Sequence, residues 1–132
     1  MKNGLVIDEK GTKRWYLNGL LHHVDGPAIE RVNGAKWWYL NGLLHRVGGP
    51  TVEYTSGTKY WYQNDRLHRV GGPAIEQADG TKFWYQNDQY HRVDGPAIEH
   101  ENGKVEYWVH GVRIPESRFL SDLFQVELVN MA

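Results

Sequence analysis

Four consecutive copies of one 23-residue unit occupy residues 11–33, 34–56, 57–79 and 80–102 and align without a gap. The fourth reads GTKFWYQNDQYHRVDGPAIEHEN. Half a unit precedes them in residues 1–10, a degenerate fifth copy fills 103–114, and the period is lost in 115–132. A short fixed period means that each copy buries its apolar surface against its neighbours, so the whole chain reads as one repeat domain. The 132 residues contain six Trp and eight Tyr, which must supply most of the buried area.

Within a copy, residues 12–17, 35–40, 58–63 and 81–86 mix β-branched and aromatic side chains, the composition of a pleated strand. Each segment ends in Asn18-Gly19, Asn41-Gly42, Asn64-Asp65 or Asn87-Asp88, pairs that accept the positive φ of a type I′ turn. A second segment follows and is divided by Gly-Pro, which cannot pair normally inside a central strand. Asn33-Gly34, Ser56-Gly57, Asp79-Gly80 and Asn102-Gly103 close the copies. A two-residue closing loop would place Ile29 opposite Trp38, Ala28 opposite Tyr39 and Glu30 opposite Trp37. One face would then carry the core, with Trp15, Trp38, Trp61 and Trp84 beside Ile29, Val52, Ile75 and Ile98. The other would carry Tyr16, Tyr39, Tyr62 and Tyr85, the small residues Ala28, Thr51, Ala74 and Ala97, the Glu residues, and a varying column of Arg14, Trp37, Tyr60 and Phe83.

From Pro115 the apolar spacing becomes helical, with Phe119, Leu120, Leu123, Phe124, Val126 and Leu128 on one side and Glu116, Asp122 and Glu127 toward water. The expected fold is all-β: an antiparallel hairpin meander of about ten strands, a single-layer sheet or open solenoid, closed by a C-terminal amphipathic capping helix. That helix or the sheet edges could also join two copies as a homodimer.

The motif W-Y-x-N-[GD]-x-x-H-R-x-[DG]-G-P-A-I-E, spread over residues 11–112, resembles repeats of uncharacterised phage, giant-virus and bacterial proteins. It is also similar to MORN-type and YwqK-type hairpin repeats, although His45-Arg46 with Gly49-Pro50 is not a MORN feature. The resemblance implies a scaffold or binding surface, brings no catalytic residues, and a phage origin would imply an inhibitor of a host protein.

The formal net charge of −1 gives no overall field for nucleic acid or an anionic membrane, and sixteen carboxylates oppose a polyanion along the cationic columns. Without cysteine there are no disulfides or thiolate metal sites. Residues 1–11 hold only a three-residue apolar run, so neither a signal peptide nor a membrane span is expected, and the cytoplasm is the expected compartment, that of the host if the origin is a phage.

The His column (His22, His45, His68, His91) invites a chemical reading, but copies a full repeat apart stand about 9–10 Å from one another, too far to share one metal. Hydrogen bonding of each imidazole to the Gly-Pro bend is the structural expectation. No catalytic group, metal site or cofactor is expected. The candidate surface for a protein partner is Trp37, Tyr60 and Phe83 with Tyr39, Tyr62 and Tyr85, an aromatic stripe able to anchor an interface. The alternative is an anionic ligand, nucleotide or nucleic acid held by His45, Arg46, His68, Arg69, His91 and Arg92.

Overall fold

Two kinds of tight turn set the architecture. The structure, a computed structural model, describes residues 1–131, apart from the side chains of Asp122 and Leu123. Asn18-Gly19, Asn41-Gly42, Asn64-Asp65, Asn87-Asp88 and His110-Gly111 have φ between 46° and 80° at both residues, the type I′ geometry expected. In the second copy this turn joins Tyr39–Leu40 to Leu43–Leu44, with Leu40 opposite Leu43.

The closing turns differ from expectation. Arg31 N–H donates to Ala35 O (3.0 Å) and Gly34 N–H donates to Arg31 O (2.9 Å), with Gly34 at φ +96°. This is a three-residue loop, a type I turn followed by a left-handed glycine bulge. Asn33 Oδ1 holds it by accepting from Ala35 N–H at 3.0 Å. The same pattern links Tyr54 to Thr58, Gln77 to Thr81 and His100 to Lys104.

One extra loop residue slips the register by one and exchanges the faces. Ile29 stands opposite Trp37, not Trp38, and Glu30 opposite Lys36. The aliphatic column therefore shares its face with the varying column: Val52 faces Trp37 and Tyr60, and Ile98 faces Phe83 and Glu106. Lys and Glu columns oppose each other on the second face. The most buried positions are the small column, with Ala28, Thr51, Ala74 and Ala97 at 0% exposure, while all four Trp residues are half-buried. A Trp-plus-Ile core is thus replaced by small residues over which the backbone closes. Thr51 keeps its hydroxyl satisfied by donating to Tyr62 O (2.9 Å) and accepting from Tyr62 N–H (2.8 Å).

The chain divides into two compact units, Met1–Leu67 and His68–Ala132, the boundary falling inside the third copy. In the first, an antiparallel ladder runs through Gly4–Ile7, Lys13–Leu17, Ile29–Glu30, Lys36–Trp37, Val52–Glu53 and Lys59–Tyr60. In the second it runs through Ile75–Glu76, Lys82–Phe83, Ile98–Glu99, Val105–Val109 and Val112–Ile114. Each expected aromatic strand of the second to fourth copies is two pieces, one in the ladder and one in the small hairpin, broken at the Trp. Trp38 N–H donates to Thr51 O (2.9 Å) and its carbonyl accepts from His45 N–H (3.1 Å), so the break loses no backbone hydrogen bond.

The expected single helix is two short ones, α1 (Glu116–Phe119) and α2 (Asp122–Val129), with Ser121 as N-cap accepting from Phe124 N–H. Phe119, Phe124 and Leu128 pack with Val109 and Ile114 and so cap the last hairpin. Leu120 and Val126, expected on the apolar side, are 61% and 66% exposed because the break at Ser121 rotates the two helices out of one continuous face. Leu123 and Asp122 lie outside the described side chains.

Gly57 has φ +97° and open space where a Cβ would stand, so its substitution reports backbone strain alone. Gly57→Ala is expected to lower stability by about 1–2 kcal/mol in urea titration, and Gly57→Asn by less, because Asn tolerates the left-handed region. Equal loss from both would contradict the turn assignment.

Candidate functional site

The repeated polar residues turn out to be joined to their own backbone. Arg46 lies 3.8 Å above the Trp38 ring and donates from Nη1 to Pro50 O (2.9 Å) and Glu53 (3.4 Å). Arg92 repeats this on Trp84 at 3.8 Å, with Pro96 O at 3.1 Å and Glu99 at 3.4 Å, and its Nε donates to Asp94 at 2.8 Å. Arg69 donates to Pro73 O and Glu76. At Gly49, Gly72 and Gly95 a Cβ would come within 2.8, 2.5 and 2.7 Å of the guanidinium carbon, so a side chain there would displace the arginine. In the first copy His23 takes the Arg position, stacks on Trp15 at 4.2 Å and contacts Pro27 O at 3.1 Å. A carbonyl only accepts, so His23 Nδ1 carries the proton there.

The His column is organised differently from expectation. Nδ1 of His22, His45, His68 and His91 accepts from the backbone N–H of Asn41 (2.9 Å), Asn64 (3.2 Å), Asn87 (3.1 Å) and His110 (2.9 Å). Each imidazole therefore ties the next copy's type I′ turn to its own copy and does not hydrogen-bond the Gly-Pro bend. The reason is geometric: a left-handed turn residue points its N–H out of the hairpin, where it needs an acceptor. His91 is 3% exposed and stacks on His110 at 4.0 Å, and burial, then that neighbour, holds its pKa below the usual histidine range.

The aromatic candidates do come together. Trp37, Tyr39, Tyr60 and Tyr62 line an open groove of about 270 Å³, with Leu44 and Val52 beneath and Tyr54 alongside. Tyr54 stands edge-on to Trp37 (5.7 Å) and Tyr60 (5.9 Å), and Tyr60 stacks on Tyr62 at 6.3 Å. Burial, followed by the Asp65 carboxylate, pushes the Tyr39 phenol pKa up. In the second unit Phe83 and Tyr85 meet Tyr90 at 6.2 and 4.5 Å, and Tyr90 meets Trp108 at 5.2 Å. Tyr54 and Tyr90 complete these clusters, and sequence reasoning missed both.

A second varying position accompanies the first, six residues earlier across the closing turn. It forms a different pair in each case: Asp8 with Arg14 (2.9 Å), Arg31 over Trp37 (5.3 Å), Tyr54 with Tyr60, and His100 with Glu106 (2.8 Å). Two strongly varying positions thus meet on one face of a frame whose Trp, Tyr, His, Gly and Pro positions are constant. Hydrogen bonds from Arg14 and His100 respectively hold the Asp8 and Glu106 carboxyls below their usual pKa range. Among the described residues no group of three or more His, Asp or Glu could hold a metal ion, and no helix is long and apolar enough to cross a membrane.

Accepting a hydrogen bond requires an unprotonated Nδ1, so the His91 strut responds to acid. His91 has a folded pKa below its unfolded value of about 6.5, so the unfolded chain takes up the proton first. Its contribution is complete above about pH 6.5 and is lost as pH falls from there toward the folded pKa. Thermal melts from pH 7.5 to 5 are expected to show falling Tm, with a smaller fall in His91→Asn, whose carbonyl oxygen can accept the same N–H without titrating. Identical pH profiles would contradict the strut. No protein-family model matches the chain, and no curated protein is similar to it at a significant level.

Proposed function

We propose that the chain is a non-catalytic protein-binding or scaffold module that contacts its partner through the aromatic face. The observation that carries this reading is the open groove with Trp37, Tyr39, Tyr60 and Tyr62 on its walls. Large rings of this kind supply contact area at low entropic cost and are enriched among residues that dominate binding energy. Phe83 and Tyr85, with Tyr90 and Trp108, offer a comparable cluster in the second unit. Varying positions that meet on one face of a constant frame are a means for a repeat scaffold to set specificity. The resemblance to phage and giant-virus repeats supports a host protein in the cytoplasm as the target, inhibited by occupation of its surface.

The anionic-ligand alternative has less support. The guanidinium groups of Arg46 and Arg92 are stacked on indoles and bonded to proline carbonyls and glutamates, and Nδ1 of His45, His68 and His91 is engaged by turn N–H groups. A phosphate would have to displace those partners.

Substituting Trp37, Tyr60 and Phe83 together by Ser tests the reading. These rings also pack on the aliphatic column, so the single variant Tyr54→Ser, at a rim position 42% exposed, serves as the folded control. Capture of the native-host partner is expected to vanish in the triple variant and to weaken about tenfold in the control, with cooperative melting retained. Undiminished capture by both would sink the proposal, and heat on titrating pyrophosphate or ATP would favour the cationic columns instead.

A further inference from the structure

The last two copies show how a groove between repeats accepts a helix. Phe119, Phe124 and Leu128 pack there with Val109 and Ile114, and Val93, Tyr107 and Met131 lie against them. Phe119 stacks on Tyr107 with ring centroids 4.3 Å apart. Moving back three repeats, the positions of Val93, Tyr107, Val109 and Ile114 hold Val24, Trp38, Leu40 and His45. They border an open groove of about 560 Å³, closed on the other side by Val47 and rimmed by Asp25 and Arg46. The ring and aliphatic positions keep their character, and only Ile114 becomes a histidine. Val24 and Val47 are 75% and 82% exposed, whereas Val93 is packed against the helices.

We propose that this groove between the first two copies docks an amphipathic helix of a partner protein. The helix would present an aromatic and an aliphatic side chain about one turn apart, as Phe124 and Leu128 do, and a Lys or Arg beside them. The basic residue follows from the rim: Arg46 is held by Glu53 and Pro50 O, while Asp25 forms no ion pair among the described residues, so the uncompensated charge is negative. The chain's own helices cannot supply the occupant, since their apolar side chains are buried in the last groove. A tethered segment wins that site by its high effective concentration, and the same holds for a second copy. The site is separate from the aromatic groove, because the two grooves share no lining residue.

The test titrates a synthetic peptide of residues 115–132, which carries Phe119, Phe124, Leu128 and Arg118, into the full ¹⁵N-labelled chain. Saturable amide shifts are expected at Val24, Leu40 and Val47 and at the Trp38 indole N–H, and none with a Phe119→Ser/Phe124→Ser peptide. Val24→Asp with Val47→Asp, both at exposed positions, should weaken binding at least about tenfold, and Asp25→Asn about threefold. Absence of saturable shifts up to about 1 mM peptide would overturn the proposal. So would shifts confined to Tyr107 and its neighbours, shifts around Trp37 and Tyr60, or shifts that grow with chain concentration in the absence of peptide, which would make the occupant a second copy.

Discussion

Arg46 lies over the Trp38 ring at 3.8 Å, and from there its Nη1 reaches Pro50 O and Glu53, with Gly49 close to the guanidinium carbon. One contact thereby accounts for the Trp, Arg, Gly, Pro and Glu of the repeat. The magnitudes indicate which part matters. A partly exposed Arg–Glu pair contributes about 0–1 kcal/mol and a stacked cation about 0.5–2 kcal/mol. Leaving the proline carbonyl without a donor would cost about 1–3 kcal/mol, so satisfying the bend's backbone is at least as large an effect as the charge. His23 in the first copy keeps the stacking and the carbonyl contact, with no ion pair to glutamate, which fits that ordering.

Much of the architecture was legible in the sequence. The Asn-Gly and Asn-Asp pairs told their own turn type, because positive φ at two successive residues is available to few others. The division at Gly-Pro and the end of the repeat at Pro115 were equally plain. The register was not. Asn33-Gly34 looks like a two-residue hairpin loop, yet Asn33 spends its side chain on Ala35 N–H and only Gly34 turns left-handed, adding one residue and exchanging the faces. Nothing in the composition of that dipeptide separates the two outcomes; the structure of the flanking ladder decides.

The candidate surface was legible in outline, since a wrong register still left Trp37 and Tyr39 two residues apart and on one side. The signals passed over were offsets and not residue types. His at one position and a turn residue nineteen later recur at 22 and 41, 45 and 64, 68 and 87, and 91 and 110. Complementary residues six apart, such as Asp8 with Arg14 and His100 with Glu106, were also in view. Together they divide the repeat by job: Trp, Arg, His, Gly and Pro hold the frame, and the paired varying positions six apart change what one face presents.

The central claim is that the repeated cations belong to the frame. It is tested most directly by NMR of the arginine side chains in the unmodified chain. The Arg46 guanidinium is expected to be shifted upfield by the Trp38 ring, with rotation about its terminal bond slowed by the Pro50 carbonyl and both features unchanged when pyrophosphate is added. Freely averaging Nη signals at ordinary solvent positions, or signals that move with pyrophosphate, would contradict it.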